Sequence, residues 1–270
     1  MTVLKPSFHP AALSATSALM LLLGLVLPSA APAQGNYYTY YNNTYITEPN
    51  QVTYQTEAES ISNSGLVGGD YVYSYQDTND YAYAGFIYNA GVYTSFQYPY
   101  FSGCTPPGCT YDVYVNGVNN SGTAVGEADS WAGDDLVSAD GFTYSSGTVT
   151  KVDYPGATET GLVGINDTNQ IIGYALVNGS DVLFSDVNGT FTIIPGYPGA
   201  VSTRFTGINN NGQIVGVYFL DSQTSPFVFV YSNGSYSAIM LPVTNLVALS
   251  NINDNGQISG TYYNQAVGES

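Results

Sequence analysis

The chain has 270 residues, of which 20 are acidic and 3 basic, for a net charge of −17. Such a surface repels phosphate backbones and anionic lipid, which excludes nucleic acid and membrane surfaces as partners and leaves cations, sugars and neutral polymers. Charged residues make up only 9%, whereas tyrosine occurs 26 times and glycine 30 times, so strands joined by tight turns are expected, and neither helix nor disorder suits the composition.

At the N-terminus, Lys5, an apolar run from Ala18 to Leu27 and small residues at Ala31 and Ala33 form the pattern of a cleaved export signal. The apolar run falls well short of the roughly twenty residues that a bilayer span requires. Residues 1–33 are therefore read as a signal peptide and 34–270 as a single domain, secreted to the extracellular space or periplasm, with no membrane insertion after cleavage. Cleavage removes Lys5 and His9, the only histidine; Lys151 and Arg204 then face all twenty acidic residues, for a net charge of −18. With no histidine to act as base, Ser-His-Asp and Cys-His catalysis are excluded from the mature chain.

Next come Tyr37 to Tyr41, Asn42-Asn43, Thr44 to Thr47 and Glu48-Pro49, which read as strand, turn, strand and a closing proline. Ile61-Ser62-Asn63-Ser64-Gly65-Leu66-Val67-Gly68-Gly69 then opens a repeat. Its later copies are Val118 to Gly126, Ile165 to Gly173, Ile208-Asn209-Asn210-Asn211-Gly212-Gln213-Ile214-Val215-Gly216 and Ile252-Asn253-Asp254-Asn255-Gly256-Gln257-Ile258-Ser259-Gly260. The spacing of roughly 45 residues lies in the range of propeller blades. A helical array of that period is opposed by the Asn-Gly turns and β-branched residues.

Each copy has a second half, clearest in Phe227 to Tyr231, Ser232-Asn233-Gly234-Ser235, Tyr236 to Leu241 and Pro242. A unit is thus a meander of four strands, with Asn-rich turns joining the first to the second and the third to the fourth. The last copy stops after its second strand, and the strands expected at 37–47 are the pair it lacks. The predicted fold is therefore all-β: a five-bladed propeller of four-stranded antiparallel blades, closed by N- and C-terminal strands. An open repeat array is the alternative.

The Ile-Asn-Asp-x-Gly-Gln-Ile-Val-Gly frame, together with Gly-Phe-x-Tyr and Tyr-Pro-Gly-Ala, resembles the bacterial extracellular HAF-repeat family over residues 37 to 263. The family's His-Ala-Phe or His-Gly-Phe tripeptide is absent; Tyr83-Ala84-Gly85-Phe86 and Ala139-Asp140-Gly141-Phe142 stand in its place. The resemblance implies export and repeat architecture and brings no catalytic residues.

Function is expected in the connections opposite the Asn-rich turns, where the sequence varies: Tyr71 to Tyr83, Cys104 to Cys109, Glu127 to Ala139 and Tyr174 to Asp181. Cys104 and Cys109 are expected to form a disulfide in an oxidising compartment. Glu127, Asp129, Asp134 and Asp135 surround Trp131 and are the hard oxygen ligands that Ca²⁺ takes, although a solvated acidic loop is the plainer reading of their spacing. Trp131, Tyr73 and Tyr75 are suited to stacking on sugar rings, with packing between strands as the alternative. The Asn residues of the repeated turns are explained by hairpin chemistry without any ligand. The function expected is a monomeric extracellular binding or adhesion module for carbohydrate or another polymer. A structural surface or matrix protein is the alternative, and a carboxylate-based glycosidase is the least supported, because the acidic residues fall mostly in predicted loops.

Overall fold

A computed structural model describes residues 56–74, 81–99, 109–133, 135–221, 225–240 and 246–262. Among them there are eighteen β-strands and no helix. β1 (Thr56–Ile61), β2 (Val67–Ser74), β3 (Tyr81–Asn89) and β4 (Val92–Phe96) form one antiparallel meander. The second unit comprises β5 (Cys109–Val118), β6 (Ala124–Ala132), β7 (Asp135–Ser145) and β8 (Thr148–Lys151). The third comprises β9 (Glu159–Ile165), β10 (Gln170–Val177), β11 (Ser180–Val187) and β12 (Thr190–Ile194), touching the second through one parallel bridge, Ala139 to Glu159. β13 (Ser202–Ile208), β14 (Ile214–Phe219), β15 (Phe227–Ser232) and β16 (Ser235–Ile239) form the fourth; β17 (Leu246–Ile252) and β18 (Ile258–Tyr262) begin the fifth. The pairing expected between residues 37–47 and β18, and Cys104 of the expected disulfide, lie outside the described residues.

The recurrent glycine at the end of the Gln-Ile-Val-Gly frame has a packing cause. A Cβ on Gly69, Gly126, Gly173 or Gly216 would overlap a carbonyl of the unit's first strand and the ring of Phe86, Phe142, Phe184 or Phe229 on its third. Each of these phenylalanines is fully buried, a burial worth about 1.5–3 kcal/mol apiece. The first strand carries a register shift close to this glycine in every unit, as between Val115 and Gly117 or Phe205 and Gly207. Bulge, glycine and ring form one repeated core element.

Neighbouring units are tied by aromatic straps. Tyr98, Tyr154 and Tyr197, each following a unit's fourth strand, pack on the core phenylalanine of the next unit with centroid distances of 6.2, 5.4 and 6.3 Å. The backbone N–H of Tyr154 donates to Thr160 Oγ1 at 3.1 Å, and that of Tyr197 to Thr203 Oγ1 at 2.9 Å. The Tyr-Pro-Gly-Ala string therefore turns the chain and wedges one unit against the next.

The turns obey the sequence. Third and fourth strands are joined by two consecutive positive-φ residues, as in Asn188-Gly189 and Asn233-Gly234, the geometry of tight hairpins. On the other side the expectation of variable loops needs correction. Tyr174 to Asp181 is a hairpin turning at Asn178-Gly179, both at positive φ. Glu127 to Ala139 is nearly all strand, since β6 and β7 extend to Ala132 and Asp135 and stay paired with one register shift, between Ser130 and Trp131. Alternation of small, apolar and acidic residues sustains the pleat where charge suggests a loop.

Candidate functional site

The two rims of the units differ in chemistry. At one, the turns between first and second strands meet in a hydrogen-bonded circuit. Ser64 N donates to Asn120 Oδ1 at 2.7 Å, Asn120 N to Asp167 Oδ1 at 2.8 Å, Asp167 N to Asn210 Oδ1 at 2.7 Å and Asn210 N to Asp254 Oδ1 at 2.8 Å. Asn63 Nδ2 donates to Asp254 Oδ2 at 2.9 Å, joining the fifth unit to the first. Each carboxylate has amide donors on both sides: Asn120 and Asn210 serve Asp167, and Asn210 and Asn63 serve Asp254. A circuit of five positions holds at most two carboxylates without placing two side by side, and this chain has two. The amide N–H donors, led by the Asn210 backbone, hold the Asp254 carboxyl below its usual range.

The preceding asparagine has a double duty. Asn119, Asn166, Asn209 and Asn253 each accept through Oδ1 from backbone N–H groups two and four residues on. Nδ2 of the first three donates to the next unit's carbonyl, at 3.3 Å to Asn166, 3.2 Å to Asn209 and 3.0 Å to Asn253. Aspartate would cap the turn equally well but could not make the second bond. This link between units was not read from the sequence, and the signal for it was the recurrence of asparagine in the four later copies, where the first copy turns the chain with Ser62. These groups are engaged by one another, which leaves the rim a structural seam.

At the other rim, carboxyl groups cluster with aromatic rings. Asp112 on β5 lies opposite Asp129 on β6, and Tyr114 opposite Glu127. Glu127 accepts from the Tyr174 hydroxyl of the third unit through Oε2, and Glu159 at the start of β9 adds its negative charge to Asp129. Desolvation, then the charge of Glu127, pushes the Asp129 carboxyl up to about 8. Burial likewise raises Asp112, and raises Asp70 on β2 to about 7 with Glu59 adding repulsion. Asp129 is 9% exposed, and its Oδ1 is buried without a hydrogen-bond partner. Half-buried Tyr83 and Tyr114 stand beside the cluster with ring centroids 5.2 Å apart. The two basic side chains among the described residues lie elsewhere: Lys151 is bonded to Asp140 and Asp153 at 2.8 and 2.9 Å, and Arg204 lies over the Phe219 ring.

Among the described residues the expected Ca²⁺ set is not brought together. Glu127 and Asp129 share one face of β6, whereas Asp135 is exposed at the start of β7, opposite Ala132, and Asp134 lies outside the described residues. No group of three or more acidic, histidine or cysteine side chains among the described residues is arranged to hold a metal ion. Trp131 is half-buried on β6 and lies against Asp112. Tyr73 pairs in register with Ala82 on β3, Cys109 opens β5, and Tyr75 lies outside the described residues. The sequence reading missed Asp70, Asp112, Glu159, Tyr114 and Tyr174. Its expectation that acidic residues occupy loops is overturned by Asp70, Asp112, Asp129, Asp140 and Asp186, all within strands. The period-two strings Asp112-Val113-Tyr114 and Glu127-Ala128-Asp129 were the available signal.

No family model and no curated protein matches the chain. Among solved structures, a variant of the Aleuria aurantia lectin in complex with Fucα1-6GlcNAc is 14% identical with a TM-score of 0.43, covering 79% of this chain and 71% of the lectin. The β-propeller domain of the Trilobed protease from Pyrococcus furiosus is 11% identical with a TM-score of 0.41, covering 65% of this chain and 49% of that one. Acylaminoacyl peptidase from Pyrococcus horikoshii is 9% identical with a TM-score of 0.32, covering 74% and 48%. This chain thus spans about half the length of the protease's β-propeller domain and of the peptidase. At these levels the similarities transfer neither ligand nor activity.

Proposed function

We propose that the protein is an exported binding module, released after cleavage of residues 1–33, whose five units close into a five-bladed β-propeller. Residues 37–47 supply the outer strands of the fifth blade against β18. The five-turn hydrogen-bonded circuit supports closure, because an open array would leave Asn63 and Asp254 far apart. The binding surface is the acid-and-aromatic rim formed by the first three units, and its ligand is a carbohydrate.

One observation carries this reading: Asp129 keeps a buried carboxyl oxygen unsatisfied among half-buried rings at the end of a rigid sheet. An unpaired buried oxygen costs roughly 1–3 kcal/mol, and a ligand donor would recover that cost. Carboxyl groups that donate or accept, placed beside aromatic faces, match the alternating hydroxyl and C–H surfaces of a sugar ring. A glycan array probed with the exported protein tests the proposal. Saturable binding that Tyr114→Ala and Asp129→Ala abolish is the expected result; no binding to any glycan would favour a matrix role instead.

A further inference from the structure

Taking the acid-and-aromatic rim as the carbohydrate site, we infer that its ligand is an amino glycan, a sugar polymer bearing free protonated amines, whose ammonium docks against Asp129 while the sugar face lies along Tyr83 and Tyr114. Four carboxyl groups from three strands of two units meet here: Asp112, Glu127, Asp129 and Glu159. Tyr174 serves Glu127, and Tyr114 stands beside Asp112 and Asp129. A cluster of like charges lowers its energy by retaining protons, by taking a metal or by taking another cation. Retained protons account for the bond between the Asp129 and Glu127 side chains, while Asp129 Oδ1 has no hydrogen-bond partner. A hard metal ion calls for six or more oxygen ligands, which the described residues do not bring together. The basic side chains among the described residues, Lys151 and Arg204, are held elsewhere.

An ammonium group offers three donors and no acceptor, which suits a site of carboxyl oxygens. Adjacent rings also favour a cation on their faces, and the surplus negative charge of the whole chain steers a polycationic polymer toward it. A neutral sugar would use the rings but leave the charge cluster unrelieved. Docking of the ammonium makes the ionised form of Asp129 the favoured one, so binding at mildly acidic pH, where the amines already carry their protons, releases the Asp129 proton to the buffer.

The chain contains one tryptophan, Trp131, and it lies against Asp112, so its fluorescence reports occupancy. The test titrates the exported protein at low salt with an oligomer of 2-amino-2-deoxyglucose and with its N-acetylated counterpart of equal length. The amine form should bind at least about tenfold more tightly, a difference of roughly 1.4 kcal/mol. Calorimetry in buffers of different ionisation enthalpy should show proton release, and Asp129→Asn should remove both the preference and the release. Equal affinity for the two oligomers would overturn the amine while leaving the carbohydrate reading intact. Equally tight binding of a simple alkyl diamine would overturn the glycan. Failure of both oligomers, together with a blank glycan array, would remove the parent proposal.

Discussion

The two rims are built from the same kinds of groups and reach opposite electrostatic states. At the turn rim, each carboxylate alternates with amides that donate to it, and Asp254 is held ionised below its usual range although its residue is exposed. At the acid rim, carboxyl groups neighbour one another inside the strands, and Asp129 holds its proton up to about 8. Arrangement of donors, rather than the count of acidic residues, separates a seam that locks units together from a cluster that retains protons.

The largest effect is expected from breaking the alternation. Asn210→Asp removes the Nδ2 donor that reaches Asp167 at 2.7 Å and Asp254 at 2.9 Å and sets three carboxylates in a row. A loss of about 2–4 kcal/mol in urea unfolding is predicted, since bonds to charged groups are worth roughly 1.5–3 kcal/mol each before solvent screening. Unchanged stability would mean that the circuit does not bind the units.

The rims should also fail at opposite ends of the pH scale. The folded protein holds the protons of Asp70 and Asp129 more tightly than the unfolded chain does, so their contribution is complete below the ordinary carboxylate range. It is lost as pH rises through about 7 and 8. Asp254, with its lowered value, contributes above the ordinary range and loses that contribution as pH falls through its folded value. Urea midpoints should therefore fall between mildly acidic and alkaline pH, and Asp129→Asn should flatten that slope while Asp254→Asn leaves it in place.

A smaller change separates turn-making from linking. Asn209→Asp keeps the Oδ1 acceptor used by the Asn211 and Gln213 N–H groups but loses both Nδ2 bonds, to the Asn253 carbonyl at 3.0 Å and to Gln213 Oε1 at 2.8 Å. A cost of about 2 kcal/mol is expected, from two lost hydrogen bonds of about 1 kcal/mol each. Asn188→Asp, in a turn whose asparagine serves its own positive φ, should change the midpoint least, by about 0.5 kcal/mol or less.

Local pairing was legible in the sequence, and contacts between units were not. Asn-Gly turns, aromatic runs and the Gln-Ile-Val-Gly frame located the meanders, because strand pairing across a tight turn is written in adjacent residues. The amide of Asn166 reaching Asn209 spans 43 positions, and only the preference for asparagine over aspartate hinted at it. Acidic residues misled the reading at Glu127 to Asp135. Charge argued for a loop, whereas neighbouring strands and the third unit supply enough packing to carry carboxyl groups inside the sheet.

The most direct test is a carboxyl-carbon NMR titration that follows Asp129 and Asp254 in the same sample, with and without the amino-sugar oligomer. Asp129 should titrate near 8 and drop on addition of the oligomer, while Asp254 titrates below its ordinary value and does not respond. Ordinary values for both, or an identical response of the two to the oligomer, would contradict the division of the molecule into a seam and a binding rim.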